Sequence, residues 1–227
     1  MTTQEFFIEL DARIAQYDLL GHPFYKAWSA GELTREDLRN YGQNYFHHVN
    51  AFPEYLQAFA SRLPQGEVRR AVQANHDDEM GGHGSRPHSE LWLDFIEGMG
   101  DDRVAAAKPI AEIDSLVRHF HSAAIEGGHE EALATFYAYE SQVPRVAAEK
   151  ARGLKAMYGA DAKTCEYFTL HTTADVYHSR MWKQQLAGAV AVNPEAAERA
   201  LNAAGNAAKV LWDALDGIEA ERMVRAA

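Results

Sequence analysis

The chain has 227 residues, 47% hydrophobic and 24% charged, enough for one large domain with its own core. Its formal net charge of -11, with no run of Lys and Arg, argues against a nucleic acid or an anionic membrane as partner. The single cysteine, Cys165, excludes an intrachain disulfide framework and fits a reducing compartment. No apolar run approaches the roughly 20 residues that span a bilayer, and Met-Thr-Thr-Gln-Glu lacks the features of a signal peptide, so a cytoplasmic location is expected.

The periodicity is helical almost throughout, with no sustained polar–apolar alternation and no hairpin signal. A first helix is predicted from about Thr3 to Tyr17, with Phe6, Phe7, Leu10 and Ile14 on one face and Gly21-His22-Pro23 as its stop. A short helix, Phe24 to Ser29, ends at Gly31. Thr34 caps the next helix, with Asp37 three residues on, and that helix passes Pro53 as a kink and runs to Leu63. Glu67 to about Met80 forms another, broken by Gly81, Gly82, Gly84 and Pro87. Further helices are predicted from His88, over Pro109–Ile125, over Glu130–Tyr158 (kinked at Pro144), over Ala162–Leu186, and from Asn193-Pro194 to about Arg225. The expectation is all-α: a bundle of about seven to nine helices in a single domain, 1–227, with no repeat or linker.

Eleven histidines raise the prior for metal chemistry. His171, Asp175 and His178 are spaced by four and three, which puts them on one face of a helix. A lone His on such a face is ordinarily a solvated or capping residue. Two imidazoles and a carboxylate together, beside Tyr167, Phe168, Leu170 and Trp182, can converge on a metal. Glu140 lies among Phe136, Tyr137, Tyr139 and Val143, where a carboxylate is costly unless bound to a metal or paired, for example with Arg145. Glu79 ends one helix and His88 opens the next, so the glycine turn between them can aim both at one point. Three carboxylates and three imidazoles on separate helices compose a dinuclear Fe or Mn site better than a zinc site, which needs only four ligands.

These residues resemble a known family. His22-Pro-Phe-Tyr25-x-x-Trp28, Gly31-x-Leu33 and Tyr41-x-x-x-Tyr45-x-His-His48-Val49-x-x-Phe52-Pro53-x-Tyr55-Leu56 resemble the haem-oxygenase-like superfamily. The nearest branch is that of the chlamydial protein associating with death domains (CADD), beside the TenA and PqqC groups. Asn75-x-x-Asp78-Glu79, His88-x-x-Leu91-Trp92, Tyr139-Glu140 with Pro144, and His171-x-x-x-Asp175-x-x-His178 carry the likeness, which spans about Phe6 to Trp182. The resemblance implies a helical bundle that forms a homodimer, with a dinuclear Fe/Fe or Fe/Mn centre held by Glu79, His88, Glu140, His171, Asp175 and His178. It further implies 4-aminobenzoate synthesis for folate, using O2 and an external reductant. In that route the enzyme consumes its own tyrosine, matched here by Tyr25, and a lysine, matched by Lys150, supplies the amino group. The glycine turn is about two residues longer than the family pattern, which leaves Asp78 open as an alternative to Glu79. Other readings are a dinuclear oxygenase acting on a free fatty acid, amine or amino acid, a cofactorless oxidase of the PqqC kind, a TenA-type thiaminase (which would need a nucleophilic cysteine), and an interaction protein.

Overall fold

The computed structural model describes residues 1–103 and 108–226. Among them are ten α-helices and no strand: α1 Thr3–Ala15, α2 Pro23–Ala30, α3 Arg35–Arg62, α4 Glu67–Glu79, α5 His88–Gly98, α6 Ala111–Ile125, α7 His129–Glu140, α8 Val143–Met157, α9 Glu166–Val192 and α10 Ala197–Ala226. The stretch 130–158, expected as one long or kinked helix, is two: α7 ends at Glu140 and α8 begins at Val143, with Pro144 in its first turn. Proline is tolerated there because the first N–H groups of a helix lack intrahelical partners. Counted as one kinked helix, the pair brings the total to nine.

The starts are set by capping. Thr34 Oγ1 accepts from the Asp37 amide (3.1 Å) and Asp37 Oδ2 accepts from the Thr34 amide (2.9 Å). Thr2 and Glu5 make the same reciprocal pair at α1, satisfying amides that would otherwise lack partners. α3 continues through Pro53 without a break.

Helix α7 lies at the centre. Ten of its twelve residues are buried, and a helix apolar on all sides belongs inside a bundle. It packs between α9 and α10, while α3 packs against α4, α5 and α6. Ala132, Ala134 and Ala138 on α7 and Ala200, Ala204, Ala207 and Ala208 on α10 are all buried. Their small side chains allow close approach of the two backbones at core density. The buried stripe of α9 runs Tyr167, Phe168, His171, Asp175, His178, Trp182, Gln185, Leu186 and Val190. Polar residues in the middle of that stripe need partners from the helices across it.

Candidate metal centre

The partners come from α4, α5 and α7. Gly81 adopts φ +80°, and a Cβ there would lie 2.7 Å from the Arg86–Pro87 backbone, so only glycine fits the turn after α4. That turn folds the end of α4 onto the start of α5 and brings Glu79 Oε2 to 2.8 Å from His88 Nδ1. On α9, His171 Nε2 lies 3.9 Å from Glu79 Oε1. His178 Nδ1 faces Glu140 Oε1 at 3.4 Å and Asp175 Oδ1 at 3.3 Å. Two three-residue groups result, each with ligand atoms close enough for one ion: Glu79, His88 and His171, and Glu79, Glu140 and His178. Glu79 is common to both. Asp175 joins neither trio and reaches the second one through His178. Asp78, the alternative to Glu79, is half-exposed and turns instead to the outer nitrogen of His178, 3.2 Å away.

These residues fit a pair of metal ions on their own chemistry. Glu79, Glu140 and Asp175 are all buried, and among the described residues their only ion-pair partners are histidines. Arg145, named as an alternative partner for Glu140, pairs with Asp18 instead. His88 Nδ1, His178 Nδ1 and Asp175 Oδ1 are buried and lack an aligned hydrogen bond although carboxylates surround them. Atoms aimed at a shared point rather than at each other are what a cation between them requires. His171 Nδ1 meets the Tyr167 carbonyl oxygen at 2.7 Å. A carbonyl only accepts, so Nδ1 carries the proton and Nε2 keeps its lone pair for the centre. Glu140 accepts hydrogen bonds from Asn75 Nδ2 (3.1 and 3.2 Å) and from the Trp182 indole, which orient its carboxylate.

Burial opposes charge on His178, but Asp175 and Glu140 outweigh it and push its pKa up to about 12. Burial raises Asp175 to about 7. Burial also opposes the charge on Glu79, yet His88 holds that carboxyl below the usual range. His171 falls to about 4, through burial and then the neighbouring His88.

A second cluster adjoins the first. Lys150 and Tyr25 are both buried. The Lys150 ammonium nitrogen sits 4.3 Å from the centre of the Tyr25 ring and donates to the Tyr41 hydroxyl. Tyr41 and Tyr25 share a hydrogen bond of 3.1 Å. Burial pushes the Lys150 pKa well below its ordinary value and those of Tyr25 and Tyr41 well above theirs, so all three favour their neutral forms. A narrow cavity of about 20 Å³ lies beside Lys150 and Tyr25 and is also walled by Tyr45, Tyr139 and Tyr167. Tyr167 stacks on the ligand candidate His171, with ring centres 4.0 Å apart, and Tyr139 precedes Glu140 in α7. Lys150 reaches this place from α8, which is separated from the Glu140 helix by Ser141 and Gln142.

Residues 39–212 match the model of a family described as an iron-containing redox enzyme, Haem_oxygenas_2. The chain belongs to this haem-oxygenase-like family. Within the family, it is 37% identical over 230 residues to a 4-aminobenzoate synthase of Nitrosomonas europaea, covering 96% of this chain and 92% of the relative. It is 38% identical over 181 residues to a 4-aminobenzoate synthase of Chlamydia muridarum, covering 78% and 76%. The fold is that of a solved domain of unknown function with a heme oxygenase-like fold from Shewanella denitrificans, at a TM-score of 0.82, 16% identity and coverage of 100% and 96%.

Two features bear on the other readings within this family fold. Cys165 is buried and its thiol is pushed up by burial, the opposite of an activated nucleophile. No helix among the described residues is long and apolar enough to cross a membrane. The spacing of motifs did not single out Tyr41 as the link between Tyr25 and Lys150, or Asn75 and Trp182 as the clamp on Glu140. Tyr41 and Asn75 stand in the motifs quoted above and Trp182 beside the metal helix, but residue type and spacing did not give them these roles.

Proposed function

We propose that this protein is an O2-dependent 4-aminobenzoate synthase that uses its own Tyr25 as the ring and Lys150 as the amino donor. Its metal centre is dinuclear, Fe/Fe or Fe/Mn, held by Glu79, His88, Glu140, His171, Asp175 and His178. The observation that carries the reading is the Lys150 nitrogen poised 4.3 Å over the Tyr25 ring, with both residues buried. A cavity of about 20 Å³ has room for about one water molecule, whereas small-molecule sites measure ~300–1,000 Å³. A fatty acid or amino acid has no room there, while an aromatic ring that is already part of the wall needs none. Four larger depressions among the described residues are open surface grooves with neither Tyr25, Lys150 nor a ligand candidate in their walls.

When bound, the metal pair supplies O2 activation at the expense of an external reductant. The chain's own residues prepare the reactants. Burial lowers the Lys150 pKa and so favours the neutral amine, the nucleophilic form. Tyr41 accepts from that amine and shares a hydrogen bond with Tyr25, so one hydroxyl fixes both groups. The aromatic wall of Trp28, Tyr45 and Phe168 keeps bulk water from the amine. Tyr167 and Tyr139 stand between the cavity and the ligand set. A cofactorless oxidase would leave three buried carboxylates without a cation, which argues against the PqqC-like alternative.

The test is a single-turnover reaction. Protein made with ring-¹³C tyrosine and ¹⁵N-lysine is loaded with Fe(II), alone or with Mn(II), and exposed to O2 and reductant. Both labels are expected in 4-aminobenzoate, at no more than about one product per chain, with a matching loss in protein mass. Tyr25→Phe and Lys150→Met proteins are expected to make none. Unlabelled product, repeated turnover on an added substrate, or wild-type yield from Tyr25→Phe would overturn the proposal.

A further inference from the structure

The two trios differ in what stands behind their histidines. His171 turns its outer nitrogen, Nδ1, to a backbone carbonyl, that of Tyr167, at 2.7 Å. His178 turns its outer nitrogen, Nε2, to the carboxylate of Asp78 at 3.2 Å. The inner nitrogen of His178 faces Glu140 and Asp175 and makes no aligned hydrogen bond. Asp78 neighbours Glu79 in α4, so one helix supplies both the carboxylate common to the trios and the outer acceptor of one of them. The Asp78 side chain is 44% exposed, so its contact with His178 lies at the solvent edge of the centre.

We infer that Asp78 is a positioning residue that fixes the His178 ring and makes the two metal positions unequal. This rests on the two-metal reading above. An ionised carboxylate accepts but cannot donate, so it holds the His178 proton on Nε2 and leaves the Nδ1 lone pair for the metal. A charged acceptor also draws on that ring proton more strongly than a neutral carbonyl does. The imidazole becomes a better donor, and the ion beside Glu140 and His178 is bound more tightly than the same ligands alone would bind it. The position beside His88 and His171 has no such support from Asp78. The sequence neighbours Asp78 and Glu79 thus have separate tasks, one outside the centre and one inside it.

Anaerobic Co(II) titration of the metal-free protein, followed by visible absorption and calorimetry, tests this without catalysis. Wild type is expected to take up two equivalents. Asp78→Asn keeps a neutral acceptor and loses the charge, and is expected to weaken one equivalent by about 10–100-fold, the usual cost of losing an outer partner of a metal-bound histidine. The other equivalent should stay within about threefold. Asp78→Ala should weaken the same equivalent at least as much, and Asp78→Glu, which restores a carboxylate at a solvent-exposed position, should recover most of it. Equal weakening of both equivalents in Asp78→Asn, or wild-type affinities in both Asp78→Asn and Asp78→Ala, would overturn the inference. Wild type binding fewer than two equivalents would overturn the two-metal reading itself, and is distinguished by being independent of residue 78. Should Asp78→Asn fail to fold, a tenfold loss at one equivalent in Asp78→Glu would equally count against the assignment.

Discussion

Lys150→Met should stabilise the metal-free protein at neutral pH, and the gain should shrink as pH rises. Lys150 is 6% exposed and surrounded by aromatic rings. Its ordinary pKa of 10.5 is pushed well down by burial. Between that depressed folded value and 10.5 the unfolded chain holds a proton that the folded chain lacks. Stability therefore rises with pH through this window, by about 1.4 kcal/mol per pH unit for one proton. Below the folded value the penalty is complete, and above 10.5 it is gone. Methionine has nearly the same shape and never ionises, so the variant escapes the penalty. Against that gain stands the hydrogen bond from Lys150 to Tyr41, worth about 1 kcal/mol; Tyr41 keeps its bond to Tyr25. The assay is urea unfolding of both proteins at pH 7, 8 and 9. The stability difference should narrow by about 1.4 kcal/mol per unit across the part of this range that lies within the window. Phenol ionisation at high pH affects both proteins alike and cancels in the difference. A difference that stays flat across pH 7 to 9, with the variant no more stable than wild type, would refute a neutral Lys150 in the fold.

Glu140→Gln should lower bound metal by at least one equivalent, read by elemental analysis after dialysis, because Asn75 and Trp182 would then orient an amide instead of an anion. Metal affinity should fall on acidification from pH 8 to 6, by about tenfold per unit for each proton displaced. His178, held protonated by Asp175 and Glu140, gives up a proton across this whole range, and Asp175, raised to about 7, adds competition below that value. In the metal-free protein the same raised value costs stability as pH climbs from 3.8 to about 7, so chelated and loaded proteins should diverge in melting temperature as pH rises. Gly81→Ala should destabilise the fold by about 1–2 kcal/mol, because alanine at φ +80° is strained and its Cβ meets backbone at 2.7 Å. It should also weaken metal binding, measured in the same Co(II) titration, since the turn aligns His88 with Glu79.

Local chemistry along the chain determined the helices. Capping pairs at Thr2 and Thr34, glycine stops at Gly31 and Gly81, and the apolar period of α3 act within a few residues, so they are legible before any packing is known. The spacing of His171, Asp175 and His178 likewise fixes a shared helix face, because 3.6 residues per turn is a local property. Membership of a trio is another matter. Glu79 and Asp78 are adjacent and both acidic, and only the packing of α4 against α9 turns one into the shared centre and the other outward to His178. The same holds for Tyr41, which meets Lys150 across 109 residues of chain. The packing of α8 against α2 likewise decides that Lys150 faces Tyr25. Sequence supplied the candidate ligands as residue types, three of them at helical spacing, and the proposed reactants by resemblance. Tertiary structure alone decided which of them share a point in space, because that depends on helix crossings between segments far apart in the chain.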